Sequence, residues 1–207
     1  MGGVLLLAIA AQAGIQPSRE PLPAREVERG LVLPLGWTEL GVDVLEDRSA
    51  LSGRNGVARG VAVSASVAYE PEGTMETRIG AELSLVAQEP PVVGWSIELG
   101  WRQPWALGPG EGQGVFAVRR AFGPFRADFR GGAALSSEGV ARPVGSGALL
   151  FQAGPLWGEG RVALAEQAEA VGGGTLAAQL TRGVLLAAVW EREPGRRAFG
   201  GQVRAWL

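Results

Sequence analysis

The stretch VARGVAVSASVAY (Val57–Tyr69), followed by METRIGAELSL (Met75–Leu85), decides the fold class. In the first run Val57, Val61, Val63, Val67 and Tyr69 share one phase of a two-residue period. Ala58, Gly60, Ala62, Ser64, Ser66 and Ala68 share the other. One face is branched and aromatic and the other is small or polar, the pattern of a strand with two different environments. The second run repeats it, with Met75, Ile79, Leu83 and Leu85 opposite Glu76, Arg78, Gly80, Glu82 and Ser84. Pro71-Glu72-Gly73 between them signals a turn.

The same period runs outward to the C-terminus. Val93, Trp95, Ile97, Leu99 and Trp101 oppose Ser96, Glu98, Gly100 and Arg102. Phe125, Ala127 and Phe129 oppose Arg126, Asp128 and Arg130. Leu156, Val162 and Leu164 oppose Trp157, Glu159 and Arg161. Phe199, Val203 and Leu207 oppose Gln202, Arg204 and Trp206. Weaker runs lie near 37–46, 113–122, 144–152, 174–182 and 184–192. Closed bacterial barrels carry even strand numbers, so 10 or 12 strands are expected. Either Gly30–Leu35 adds one strand, or the two runs near 174–192 merge. Phe122-Gly123-Pro124, Ala153-Gly154-Pro155 and Thr181-Arg182-Gly183 read as tight hairpins. Longer polar connections are expected near 47–56, 103–113, 137–143, 166–173 and 192–197.

The 207 residues contain 33 Gly, no Cys and no His, and every one of the 19 basic residues is Arg. Against 21 acidic residues the net charge is -2, which argues against a nucleic-acid partner. No apolar run approaches the roughly 18 residues of a spanning helix. A chain this apolar without such a run fits a spanning barrel, in which lipid-facing residues recur at every second position. Gly, Ala and Ser beside Arg and Glu on the opposite face suit a narrow lumen. The fold expected is therefore all-β, a closed antiparallel transmembrane barrel with short turns over 36–207. The seven Trp fall mostly near strand ends, where interfacial girdles sit.

Met1–Ala13, MGGVLLLAIAAQA, has an apolar core and a small-x-small end, and reads as an export signal. Residues 14–35, with Pro17, Pro21 and Pro23 among several charges, read as an irregular leader, equivalent to a surface loop. Export and outer-membrane location are the expectation.

The stretches LVLPLGWTELGVDV (Leu31–Val44) and VAVSASVAYEPEGTMETRIGAELSL (Val61–Leu85) resemble the opening hairpins of small Gram-negative outer-membrane barrels. The last nine residues, FGGQVRAWL, are similar to the final strand of such barrels, which guides insertion. That strand usually ends in Phe or Trp, whereas here Trp206 is penultimate and Leu207 is last. The resemblance implies a bilayer and the outer-membrane assembly machinery as partners, and singles out no particular family.

Without His, a Ser-His-Asp triad is impossible. The glycine-rich GPGEGQG (Gly108–Gly114) lacks the Lys-Ser/Thr of a phosphate loop. No metal cluster or cofactor motif is visible, and a non-enzymatic role is expected. The chemistry lies in the inward charges: Glu76, Arg78, Glu82, Glu98, Arg102, Arg126, Asp128, Arg130, Glu159, Arg161 and Arg204, with Glu191 beside them. These line a weakly selective passive channel, or they pair across a filled lumen and make a structural or adhesive barrel. A third reading, a soluble periplasmic lipid-binding barrel, requires the Val/Leu/Trp face to point inward.

Overall fold

The computed structural model describes residues 20–70, 74–85, 93–105, 108–164, 170–181, 183–193 and 196–207. The expected export signal, Met1–Ala13, lies outside them. Twelve strands form one closed antiparallel barrel. They are β1 (Thr38–Leu45), β2 (Ser49–Ala58), β3 (Val61–Tyr69), β4 (Met75–Ser84), β5 (Val93–Pro104) and β6 (Glu111–Phe122). The second half comprises β7 (Phe125–Ser136), β8 (Ala141–Ala153), β9 (Leu156–Leu164), β10 (Ala170–Thr181), β11 (Val184–Glu193) and β12 (Arg196–Trp206). Each strand pairs with its sequence neighbours, and β12 closes on β1 through Glu39↔Trp206 to Leu45↔Gly200.

The even count is met by a strand that the alternation does not signal. The stretch near 47–56, expected to be a polar connection, is mostly β2. It pairs with β1 and β3, from Thr38↔Asn55 to Val44↔Ser49 and from Ser49↔Tyr69 to Ala58↔Val61. The run read as one strand from Val57 therefore breaks at Arg59-Gly60, where Gly60 has φ +71°. Gly30–Leu35 is not a strand, and the runs near 174–192 are two separate ones, β10 and β11. The other connections expected to be long are shortened by strands that extend into them, to Pro104 on one side and from Glu111 on the other.

The two ends of the barrel differ. At the end carrying Thr38 and Leu207, the links Gly123-Pro124 and Gly154-Pro155 are tight turns. Gly123 and Gly154 have φ +60° and +61°. A positive φ at the first turn residue, followed by Pro with its fixed negative φ, is the requirement of a type II′ hairpin and excludes type I′. The opposite end carries longer connections, such as 137–140.

Outward side chains are apolar around the whole circumference: Leu40 and Val42 on β1, Ile79 on β4, Leu99 on β5, Phe129 on β7, Leu176 on β10 and Val203 on β12 are all exposed. Phe122, Phe125 and Phe151 pack in sequence at the short-turn end, with ring centroids 5.7 and 5.1 Å apart. Trp95 packs on Phe116 nearby. This orientation is opposite to the one that a soluble lipid-binding barrel requires, so that reading falls.

Inward glycines set how closely neighbouring strands approach. A Cβ on Gly200 would meet the Val44 carbonyl and Leu45 Cα, and one on Gly132 the Gly114 carbonyl. The obstacle is backbone, which cannot swing aside. Gly200→Ala is expected to destabilise the barrel by about 1–3 kcal/mol through local overpacking. A lowered urea midpoint for the lipid-refolded protein checks it; an unchanged midpoint would show that the β1–β12 seam yields freely.

Candidate functional site: the barrel interior

The interior is built from the second phase of every strand. The charged side chains of that phase pair with one another and divide into tiers. In the half nearer the long connections, Glu76 accepts from Arg78 and, at 2.8 Å, pairs with Arg102. Arg142 grips Glu111 with two contacts of 2.6 Å. Arg161 and Arg48 both reach Glu191 at 2.5 Å. At mid-height Arg130 pairs with Glu98 at 3.1 Å, and Arg54 donates to Glu82. Register sets Arg78 opposite Arg102 and Glu82 opposite Glu98. Like charges facing each other across a sheet are unfavourable. Here each is offset by an opposite charge, often on a further strand.

The lowest tier is the most buried. Arg119 donates to both Asp128 oxygens at 2.6 and 2.7 Å. Arg126, 4 % exposed, lies 3.3 Å from Asp128, 3.7 Å from Glu159 and 3.4 Å from Glu26. Arg204 lies 3.6 Å from Glu39.

Glu26 belongs to the segment before β1, one side of which is buried inside the barrel. Residues 20–37 contain a short 3₁₀ turn, Glu26–Glu28, and enter the lumen at the short-turn end. Val27, Leu31, Val32 and Leu33 are almost wholly buried there. They pack with Ala62, Ala117, Leu150, Trp157, Ala177, Leu185 and Trp206 of the wall. Trp157 and Trp206 thus serve this inner core and no interfacial girdle. Their sequence phase, shared with Glu159 and with Arg204, carries that signal. Arg29 pairs with Glu26 at 2.7 Å and stacks 3.8 Å above the Trp206 ring. Burial draws the Arg29 pKa below its ordinary value, opposed by the charges of Glu26 and Glu39. A cavity of about 260 Å³ lies between the segment and the wall, with Arg54, Arg130 and Arg161 among its lining residues.

The small inward residues do not simply leave space. Ala62 is fully buried in the inner core. A Cβ on Gly80 would stand 2.9 Å from the Ser64 hydroxyl, and one on Gly100 3.1 Å from the Gln113 amide.

Several interior groups carry no clear mark in the sequence. Arg54 lies on the unrecognised β2, Arg119 and Glu111 in or beside the weak run near 113–122, and Glu39 and Asp43 in the weak run near 37–46. The alternation Val115, Ala117, Arg119 was the available signal for Arg119. Among the described residues, no three His, Cys, Asp or Glu side chains form a group that could hold a metal ion.

No protein-family model matches the chain, and no curated protein sequence does. Solved structures do. The chain is similar to KdgM porin, with a TM-score of 0.69 and 7 % identity, over 82 % of this chain and 98 % of that one. It is also similar to Omp33, an outer membrane protein of Acinetobacter baumannii, with a TM-score of 0.55 and 10 % identity, over 83 % and 97 %. The fold is that of the outer-membrane β-barrels. At such identities the likeness concerns architecture alone, and the interior of this barrel has to be read from its own residues.

Proposed function

We propose that this barrel spans an outer membrane and conducts ions or small solutes passively, with no enzymatic role. The observation that carries the reading is a polar, ion-paired lumen enclosed by a barrel with an apolar outer face all round. A spanning structure must pair its whole backbone internally, and the closed twelve-strand ladder does so. Twelve strands fall between the filled eight-stranded barrels and the open sixteen-stranded porins. The likeness to a protein named as a porin supports the same reading. The short turns at the end carrying Thr38 and Leu207 support a periplasmic position for that end.

A second reading, a structural barrel with its lumen closed by Arg–Glu pairs, draws on the density of those pairs and on the lodged segment. Planar-bilayer recording separates the two. Discrete conductance steps are expected from the refolded protein. Arg78, exposed in the half nearer the long connections, is placed to act on passing ions. Arg78→Glu is expected to raise the cation-to-anion permeability ratio. Silent bilayers with verified insertion would favour the structural barrel.

A further inference from the structure

The segment before β1 is held in the lumen in a way that allows it to leave. The barrel ladder is complete without it, because β12 closes directly on β1. The segment contributes no strand to the sheet. Apart from its apolar side chains, it is held by wall side chains that grasp its backbone. Arg126 donates to the Glu26 carbonyl at 2.5 Å, and Arg119 donates to the carbonyls of Arg29 and Gly30 at 2.9 and 2.6 Å. Arg54 donates to the Leu31 carbonyl, and the Val27 amide donates to the Gln152 side chain at 2.9 Å.

Each of these arginines also pairs with a carboxylate of the wall, Asp128 being shared by two of them. Arg54 has Glu82, Arg119 has Asp128, and Arg126 has Asp128 and Glu159. Withdrawing the segment therefore leaves these three buried guanidiniums with a counter-charge, and the pair it breaks at Arg59–Glu20 has its guanidinium exposed to water. The segment's own buried charges, Glu26 and Arg29, pair with each other and would leave as a neutral unit. Withdrawal also breaks the buried pair of Arg126 with Glu26 at 3.4 Å, which leaves Arg126 with Asp128 and Glu159 and Glu26 with Arg29, so neither charge is left uncompensated. What opposes withdrawal is the apolar contact of Val27, Leu31, Val32 and Leu33 together with the wall's hydrogen bonds to the segment backbone, which make the lodged state the resting one. The segment joins the barrel at Gly36-Trp37, where Gly36 has φ +81° and the two residues exchange backbone hydrogen bonds with Gly56 on β2. A Cβ on Gly56 would strike the Pro34 carbonyl, so the anchor seats closely.

We propose that residues 20–35 are a displaceable plug, hinged at Gly36-Trp37, that gates the lumen at the short-turn end. The proposal rests on the channel reading and specifies its regulation.

The chain has no Cys, so Val32→Cys introduces a sole thiol, at a plug position only 2 % exposed. The full-length variant, inserted in vesicles and verified as folded by heat-modifiable mobility, is treated with a charged, water-soluble thiosulfonate reagent. Ser66→Cys, on the inward phase of β3 and partly exposed, serves as the lumen control outside the plug. In a displaceable plug Cys at position 32 is modified in the folded barrel. The added charge then prevents re-docking, and single-channel conductance rises about twofold or more as the lumen clears. If position 32 stays unreactive while position 66 reacts, the plug is fixed and the proposal is overturned. Wild-type conductance in that case leaves the channel reading standing. Modification at position 32 without any change of conductance overturns the gate as well, since the segment then moves without opening a path.

Discussion

Asp128→Ala is expected to cost about 3–5 kcal/mol, because it removes the carboxylate shared by two buried guanidiniums. Asp128 is 6 % exposed and accepts from Arg119 at 2.6 Å while Arg126 lies 3.3 Å away. Its loss leaves Arg119 with only the plug carbonyls of Arg29 and Gly30, and Arg126 with Glu26 and Glu159. Urea titration of the lipid-refolded protein measures the effect. Replacing both members of the tightest pair by apolar residues, Arg119→Met with Asp128→Leu, is expected to cost less than Asp128→Ala alone, since no uncompensated charge then remains at position 119. A loss below about 1 kcal/mol for Asp128→Ala, the size of an exposed pair, would mean that water enters this tier freely.

Leu99→Arg tests the outer surface. Leu99 lies near the middle of β5, outward and 57 % exposed, in phase with Trp95, Ile97 and Trp101. On a soluble protein an exposed Leu→Arg change is close to neutral. On the lipid face near the bilayer midplane it costs about 2–4 kcal/mol. The matched control is Gln113→Arg on β6, which opposes Gly100 on the inward face and is expected to cost much less. Equal stability of Leu99→Arg and the parent in lipid vesicles would remove the bilayer from the reading.

The barrel was legible wherever the two faces of a strand meet different solvents. Val93–Trp101 and Phe125–Phe129 alternate cleanly because one phase is exposed outward and the other faces charge pairs. The strand Ser49–Ala58 escaped because its outward phase opens with Ser49, Leu51, Gly53 and Asn55, with one large apolar residue among the four before Val57. The inward charges followed from phase alone, but their partners did not. Arg130 meets Glu98 and Arg161 meets Glu191 across an intervening strand, contacts fixed by stagger and curvature. The lodged segment was hidden for a different reason. Glu26, Glu28 and Arg29 give it the charge of an exposed leader, while the apolar run Leu31-Val32-Leu33 finds its counterpart only once the wall has closed.

That closure bears on the order of folding events. Every ladder but one joins strands adjacent in sequence, so eleven hairpins can form locally and early. The exception is the seam, where Glu39 and Trp206 meet across 167 residues of chain. The entropy of long-range loop closure is thus concentrated in a single event. The same Trp206 lies in the core with Val27 and Leu31 and beneath Arg29. The zipping of β12 onto β1 therefore also completes the chamber around the segment. The rate-limiting step of assembly and the capture of the N-terminal segment are expected to be one kinetic phase, slow to appear and lost together when the seam is weakened.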